Sequence, residues 1–299
     1  MRTKTGKMEI LINGKPADIK LDTEKNLGDV LQGIELWISP GGNRINGIKL
    51  DGLNLENDSL EEAFPKNINN IGKLEINVSS WRQLAQEALS VLYNTILLYM
   101  KAEFNERSII AENWHNSASA RFMADDISDI FQMASLTLKG EGITPSELTI
   151  LIDSRLREIT FPQHEVHALL DPVKSTATRM EELPLDMQTG KDKRAAETMQ
   201  IFAGIGEKLF RILSYYKLEG LSLDTLMIDT LPAQTFINEF NSALKELSAA
   251  FENRDSVLAG DIAEYELAPR LLHFYSFLDN LSESDSSIIP ESLLSDNKI

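Results

Sequence analysis

The chain has 299 residues, enough for one large domain or two of modest size. Its 46 acidic and 29 basic side chains give a formal net charge of −17, which disfavours binding to nucleic acid phosphates and to anionic membranes. The absence of cysteine excludes disulfides, thiolate zinc sites and cysteine nucleophiles. No apolar run has the length of a signal peptide or a membrane span, so we expect a cytoplasmic protein.

Residues 1–80 show the turn signals and two-residue alternation of β-structure. Strands are predicted over residues 8–12 and 17–21, joined by the hairpin turn Asn13-Gly14. A helix capped by Asp22 or Thr23 should follow and run through Ile34. Further strands are predicted over residues 45–50 and 73–78, with a short element between them at 59–64.

This order resembles the β-grasp fold of ubiquitin and of the small sulfur-carrier proteins. The resemblance lies in the segments Met-Glu-Ile-Leu-Ile-Asn-Gly-Lys (8–15), Asn-Leu-Gly-Asp-Val-Leu (26–31) and Ile-Asn-Gly (45–47). The carriers end in a Gly-Gly whose carboxylate is activated, whereas here the predicted last strand continues into Trp81 and the rest of the chain. Gly41-Gly42 is internal and is predicted to serve a turn. The resemblance therefore implies a recognition or packing module without carrier chemistry.

From Trp81 onward the apolar period becomes helical, with Ser80 as the predicted N-cap. Helices are predicted over residues 81–104, 118–139, from Pro145 onward, 192–217 and 233–252, and a sixth begins after a cap at Asp255. Pro269 should kink or split the sixth helix near Leu267. Residues 160–191 hold three prolines and are predicted to be an irregular crossing.

The fifth and sixth helices carry clear apolar stripes that we expect to face the core. These residues are Phe236, Phe240, Leu244, Leu247 and Phe251 in the fifth helix, and Val257, Leu258, Ile262, Tyr265 and Leu272 in the sixth. The pair is similar in pattern to the helical hairpin of type III and flagellar export chaperones, which implies a chaperone-like role.

The predicted fold class is α+β, with an N-terminal β-grasp module followed by an all-α helical bundle. We expect domains at residues 1–80 and 81–283 and a flexible tail at 284–299. The first has a net charge of −2 and the remainder −15, so the acidity belongs to the helical part. Such a surface serves solubility, or it attracts a basic protein partner.

Histidines and paired carboxylates are the first candidates for chemistry. Glu112 and His115 have the spacing of a di-iron ligand pair, but the second such motif is missing and residues 111–119 are predicted to be a loop. His164 and His167 have one residue too few between them for a zincin helix and are placed in a surface loop. His273 is expected to be a partly buried packing residue. We therefore predict no metal and no cofactor.

Other acidic and basic clusters are further candidates for a functional site. Two carboxylate sets, Asp125, Asp126 and Asp129, and Asp261, Glu264 and Glu266, are expected on polar helix faces. The turn before the fourth helix places Thr189, Gly190, Lys191, Lys193 and Arg194 at a helix N-terminus, where an anion can bind. An ordinary helix cap with Asp192 as acceptor explains the same residues.

These observations favour a non-catalytic cytoplasmic adaptor, scaffold or chaperone-like protein whose acidic bundle binds another protein, possibly a basic one. Candidate contact residues are Trp37, Trp114, Phe236 and Phe240, with Trp81 better explained as core. The alternative is an enzyme or anion-binding regulator that uses the turn at 189–194. No nucleic acid or membrane partner is expected, and self-association is compatible with a helical bundle.

Overall fold

The computed structural model describes residues 8–17, 19, 21, 23–55 and 57–284, and it shows an α+β protein with an N-terminal mixed sheet followed by helices. The strands are β1 (Glu9–Ile12), β2 (Lys15–Pro16), β3 (Asn43–Leu50), β4 (Leu53–Asn54), β5 (Lys73–Ser80), β6 (Met227–Ile228) and β7 (Leu231–Pro232). Five of them form one sheet in the order β2-β1-β5-β3-β4, while β6 and β7 form a separate hairpin. The predicted α+β class, with a sheet module followed by a helical region, is confirmed.

The sheet is built from two local hairpins joined through β5. Asn13 and Gly14 both have positive φ, as the tight β1–β2 turn requires, so the predicted hairpin turn is confirmed. The strand predicted over 17–21 is wrong, since the second strand is Lys15–Pro16 and the described residues of 17–21 lie outside any strand. Strand β5 pairs in parallel with β1 and antiparallel with β3, and the register with β3 shifts between Ile45 and Gly47. The central position of β5 explains why Leu74 and Ile76 are fully buried.

Helix α1 (Leu27–Ile38) packs the apolar stripe Leu27, Val30, Leu31, Ile34 and Ile38 into the core of the sheet module. Its N-cap is Asn26, so the expected cap at Thr23 is wrong, and Asp22 lies outside the described residues. The Asn26 side chain accepts from the Asp29 amide at 2.9 Å, and the Asp29 carboxylate accepts from the Asn26 amide at 3.3 Å. Because of this capping box, the N-cap lies three residues after Thr23, the later of the two predicted caps.

The helices after α1 range in length from 6 to 27 residues. They are α2 (Asn57–Ala63), α3 (Trp81–Lys101), α4 (Phe104–His115), α5 (Ala118–Asp126), α6 (Ser128–Leu138), α7 (Pro145–Thr160), α8 (Pro162–His167), α9 (Leu170–Glu181), α10 (Leu183–Gln188), α11 (Asp192–Leu218), α12 (Ala233–Glu252), α13 (Ser256–Asp261) and α14 (Ala268–Ser284). A π-helix, Ile262–Leu267, joins α13 to α14. The break predicted near Leu267 is therefore confirmed, and so is the Ser80 cap of α3.

Three expectations about the helical part are wrong. Residues 111–115 are helical because α4 runs through His115. The predicted helix over 118–139 is interrupted at Ile127, which has non-helical backbone angles. The expected irregular crossing at 160–191 is mostly helical (α8, α9 and α10) because its prolines lie in first helical turns, where their missing N–H costs nothing.

The chain divides into two compact units, Met1–Ile152 with Lys217–Gly220, and Asp153–Tyr216 with Leu221–Ile299. The expected boundaries at residues 80 and 283 stay predictions, and residues 285–299 of the predicted tail lie outside the described residues. The second unit has its own core, in which the rings of Phe202, Phe210, Phe236, Phe240 and Phe274 contact one another. Among the described residues, no helix is both long enough and apolar enough to cross a membrane.

Candidate partner-binding surface

Residues 251–266, here called the acidic corner, form the bend in the second unit that leads from α12 through α13 into the π-helix. Arg254 is the single cation of this segment, and the formal net charge is −4. The carboxylates of the acidic corner are Glu252, Asp255, Asp261, Glu264 and Glu266.

Local interactions fix the backbone of this bend. Arg254 has φ +57°, which reverses the chain direction directly after α12. The Asp255 side chain accepts from the Leu258 amide at 3.0 Å and caps α13, as the sequence predicts. Helix α13 lies so close to α10 that a Cβ at Gly260 would stand 3.0 Å from the Pro184 ring. The acidic corner is therefore an ordered part of the second unit.

All eight residues 251–258 are exposed, including three apolar ones. Val257 is 63% exposed, Leu258 and Phe251 are also exposed, and Tyr265 is 67% exposed. The expectation that these side chains face the core is wrong, whereas Ile262 is buried as expected. A π-helix changes the angular period by inserting an extra residue per turn, so a stripe drawn at 3.6 residues loses its phase within Ile262–Leu267, where Tyr265 lies. Apolar side chains are thus presented within a strongly acidic surface.

The negative charges of the acidic corner affect the pKa of Tyr265. Its pKa is raised above the ordinary 10.0 because its hydroxyl donates to Glu264 and because the negative charges of Glu264 and Asp261 oppose its ionisation. Among the described residues, no ion pair involves Glu252 or Asp261, whereas Glu266 pairs with Arg270. The acidic corner therefore retains carboxylates that a cationic partner can neutralise.

The four predicted contact residues lie in different environments, and the structure does not bring them together as one site. Trp37 is 68% exposed and lines a cavity of about 410 Å³ between α1 and the side chains of Ala17, Ile19 and Leu21. Trp114 is buried, with its ring 5.7 Å from that of Phe131. Phe236 and Phe240 are buried in the aromatic core of the second unit. In this conformation only Trp37 of the four is accessible to a partner.

The cations of the predicted anion site are engaged by carboxylates. Lys191 Nζ lies 3.3 Å from Oδ1 of the buried Asp186, and Arg194 Nε lies 3.1 Å from its Oδ2. Arg194 also pairs with Glu182, and Lys193 lies 3.9 Å from Glu197.

The neighbouring turn residues are also explained by local structure. Thr189 donates its hydroxyl proton to the Leu185 carbonyl at 2.7 Å, and Gly190 has φ +72°, a conformation that favours glycine. The turn at 189–194 therefore compensates a buried carboxylate, and an added anion would compete with Asp186 and Glu182.

The remaining candidates for chemistry are scattered over the two units. His115 is on α4 and stacks on Phe131, and His164 and His167 are on α8, so their predicted loop location is wrong. His273 is exposed beside Asp229, with 3.6 Å between Nδ1 and Oδ2, so the expectation of a packing residue is also wrong. Among the described residues, no group of three or more histidine or acidic side chains could hold a metal ion.

A buried ionic cluster of the second unit was missed by the sequence reasoning. Glu158 is buried and receives two hydrogen bonds from Arg211, Nε at 2.8 Å and Nη2 at 3.0 Å, and one from Arg155 at 3.3 Å. The only sequence signal is the i, i+3 spacing of Arg155 and Glu158 on α7, which is common on exposed helices. The tertiary partner, Arg211, comes from α11 and has no local signature.

Two family models match separate parts of the chain. The model described as TP0873 N-terminal domain matches residues 8–80, and the model described as a domain of unknown function, DUF8042, matches residues 167–276 and thus includes the acidic corner. A protein of Treponema pallidum (strain Nichols), named "Uncharacterized protein", is 27% identical over 147 residues, which cover 46% of this chain and 73% of that protein. No solved structure matches the chain at a significant level.

Proposed function

We propose that this protein is a non-catalytic adaptor, scaffold or chaperone-like protein that binds a basic protein partner through the acidic corner. The observation that carries the proposal is the run of eight exposed residues, 251–258, in which Phe251, Val257 and Leu258 stand among carboxylates. Interfaces combine apolar contacts, which supply affinity, with complementary charges, which steer the approach and fix the register.

The partner that fits is a segment with lysines or arginines interleaved with apolar side chains. Its cations would pair with Glu252 and Asp261, which take part in no ion pair among the described residues. Its apolar side chains would cover Val257 and Tyr265. Binding should weaken with salt because the carboxylates of the acidic corner are exposed and therefore screened.

For the N-terminal module we propose a β-grasp fold that serves recognition or packing. Its support is the sheet order β2-β1-β5-β3-β4 with β1 and β5 parallel at the centre and α1 packed on one face. Gly41-Gly42 belongs to a turn after α1, where Gly42 has φ +68°, and not to a chain end. A carrier role would need a free Gly-Gly carboxylate, which this arrangement does not offer.

The test is affinity capture with the full-length chain at low and moderate salt, followed by quantification of each retained protein. The corner variant carries Glu252→Lys and Asp261→Lys, and the control carries the same charge change at two exposed glutamates of α2, Glu61→Lys and Glu62→Lys. We expect the partner to be retained by the wild type and the control. The corner variant should lose it by about tenfold, since close interfacial charge pairs contribute about 1.5 kcal/mol or more.

A second pair of variants tests the apolar contribution. Val257→Ser should weaken retention of the same protein, whereas Ile150→Ser, at an equally exposed apolar position, should not. Equal retention by the corner variant, Val257→Ser and the wild type would contradict the proposal. The anion-binding alternative requires a different outcome. Inorganic phosphate would bind at Lys191 and Arg194 and would compete with the retained protein.

A further inference from the structure

A second exposed apolar surface lies in the first unit, at the bend between α3 and α4. It comprises residues 98–109 and is here called the elbow. Leu98 is 61% exposed and Phe104 is 90% exposed, and Met100 and Ile109 are also exposed. Helix α4, whose twelve residues are all described, buries one side chain fully, Trp114. A helix that buries so little of its surface within the chain leaves apolar side chains available to a partner.

The elbow is held in a defined conformation. Helix α3 ends at Lys101, and its C-cap, Ala102, has extended backbone angles. At the start of α4 the Glu103 amide donates to Glu106 Oε2 at 3.3 Å. Arg107 Nε donates to the Ala102 carbonyl at 3.2 Å, and its guanidinium lies 5.2 Å from the centre of the Tyr99 ring. Phe104 is therefore exposed on an ordered bend and not at the end of a frayed helix.

The charge of the elbow distinguishes it from the acidic corner. Residues 98–109 contain two cations, Lys101 and Arg107, and two carboxylates, Glu103 and Glu106, so their formal net charge is zero in a chain of −17. Two copies of such an acidic chain repel each other over most of their surfaces, and a neutral patch is where that repulsion is smallest. A basic partner, in contrast, gains nothing from a neutral surface.

From these observations we propose that the elbow is the interface of a homodimer. In a two-fold symmetric contact the same patch faces itself, so a neutral patch with both signs of charge is self-complementary. Lys101 of each copy would face Glu103 or Glu106 of the other, and the two Phe104 side chains would be covered near the axis. This surface lies outside both segments that the family models match, and the inference does not depend on the proposed function.

The test is sedimentation equilibrium of the full-length chain over a range of concentrations. We expect a reversible equilibrium between 33.5 kDa and twice that mass. Phe104→Glu should raise the dissociation constant at least about tenfold, which corresponds to about 1.4 kcal/mol. Val257→Glu adds the same charge at an exposed apolar position of the acidic corner and should leave the dissociation constant unchanged. Since Phe104 is exposed, its replacement should not affect folding, which circular dichroism would check.

Single cysteines provide an independent readout because the chain contains none. Asn105→Cys, next to Phe104, should form a disulfide-linked dimer on mild oxidation, and Ser256→Cys, at an exposed position of the acidic corner, should not. A monomer at every concentration, a dimer unaffected by Phe104→Glu, or equal cross-linking at the two positions would each overturn the proposal.

Discussion

Gly42 lies against the backbone of Glu219 so closely that a Cβ at residue 42 would stand 2.5 Å from the Glu219 Cα. Both residues belong to the first unit, where Arg82 also forms a bidentate ion pair with the Glu219 carboxylate. Gly220 approaches the same turn, since a Cβ there would stand 2.3 Å from the Pro40 carbonyl oxygen. The glycines thus permit residues distant in sequence to pack backbone against backbone.

We predict that Gly42→Ala is much more destabilising than Gly14→Ala. Both glycines have positive φ, +68° and +76°, but nothing lies within 4 Å of a Cβ at Gly14. Gly14→Ala should therefore cost only the backbone strain, about 1 kcal/mol. Gly42→Ala should cost that strain and a steric clash that adds about 2 kcal/mol or more. Urea unfolding of the two variants and the wild type measures both free energies, and equal costs would contradict the packing role of Gly42.

The buried carboxylate of Glu158 gives a second prediction. Glu158→Gln leaves Arg155 and Arg211 facing a neutral amide in a buried position, so we expect a loss of about 3–5 kcal/mol in the free energy of unfolding. Glu207 pairs with the same Arg211 at 2.9 Å but is exposed. Glu207→Gln should therefore change stability by less than about 1 kcal/mol. Denaturant unfolding distinguishes the two, and similar losses would show that burial does not set the cost.

The parts of the fold that follow local rules could be predicted from sequence. The Asn13-Gly14 hairpin, the Ser80 and Asp255 caps and helix α12 depend on interactions between residues close in the chain. The sequence does not predict the helices over 160–191 because proline is usually a helix breaker, although prolines in first turns are compatible with helix starts.

The candidate sites depend on features without a local signature. The inward prediction for Tyr265 is wrong because the π-helix shifts the phase of the stripe, which the spacing of apolar residues does not indicate. The basic cluster at Lys191 and Arg194 was recognisable, but its carboxylate partner Asp186 is buried by tertiary packing that sequence alone does not give. The exposure of Phe104 is equally a result of tertiary structure, since aromatic residues are usually buried.

The start of α7 gives a pH-dependent prediction. The pKa of Glu147 is lowered below the ordinary 4.5 because its carboxylate accepts from the Thr144 amide and the Thr144 hydroxyl, both at 2.8 Å. The folded state therefore favours the charged form, and this stabilisation is present above pH 4.5 and is lost as the pH falls through the lowered pKa.

Removing one of the two hydrogen-bond donors to Glu147 tests the cause of its lowered pKa. Thr144→Val should raise the pKa of Glu147 part of the way back toward 4.5, since the amide hydrogen bond remains. Thr149→Val is the matched control, because the Thr149 hydroxyl donates to Ser146 and not to Glu147. Carboxyl chemical shifts followed against pH measure the change, and an unaltered Glu147 titration in Thr144→Val would show that the hydroxyl bond does not hold the carboxylate.

The raised pKa of Tyr265 provides a direct probe of the acidic corner. Its first cause is the hydrogen bond to Glu264, followed by the negative charge of Glu264 and, after burial, that of Asp261. Glu264→Gln keeps an acceptor but removes the charge, so the pKa of Tyr265 should move down toward 10.0. Asp261→Asn should lower it by a smaller amount. Added salt should also lower it in the wild type, because Tyr265 is exposed and the carboxylate charges are screened.

Tyr275 is the internal control for this titration. Its pKa is raised first by burial and then by Asp279, so Glu264→Gln should leave it unchanged. The chemical shifts of isotope-labelled tyrosine ring carbons, followed against pH, give the two pKa values separately. The Tyr265→Phe variant assigns the Tyr265 signal. Binding of a lysine- and arginine-rich partner at the acidic corner would lower the Tyr265 pKa, since its cations neutralise the carboxylates that oppose ionisation. If the pKa of Tyr265 did not respond to Glu264→Gln, the negative potential assigned to the acidic corner would be wrong, and the case for a basic partner would lose its electrostatic support.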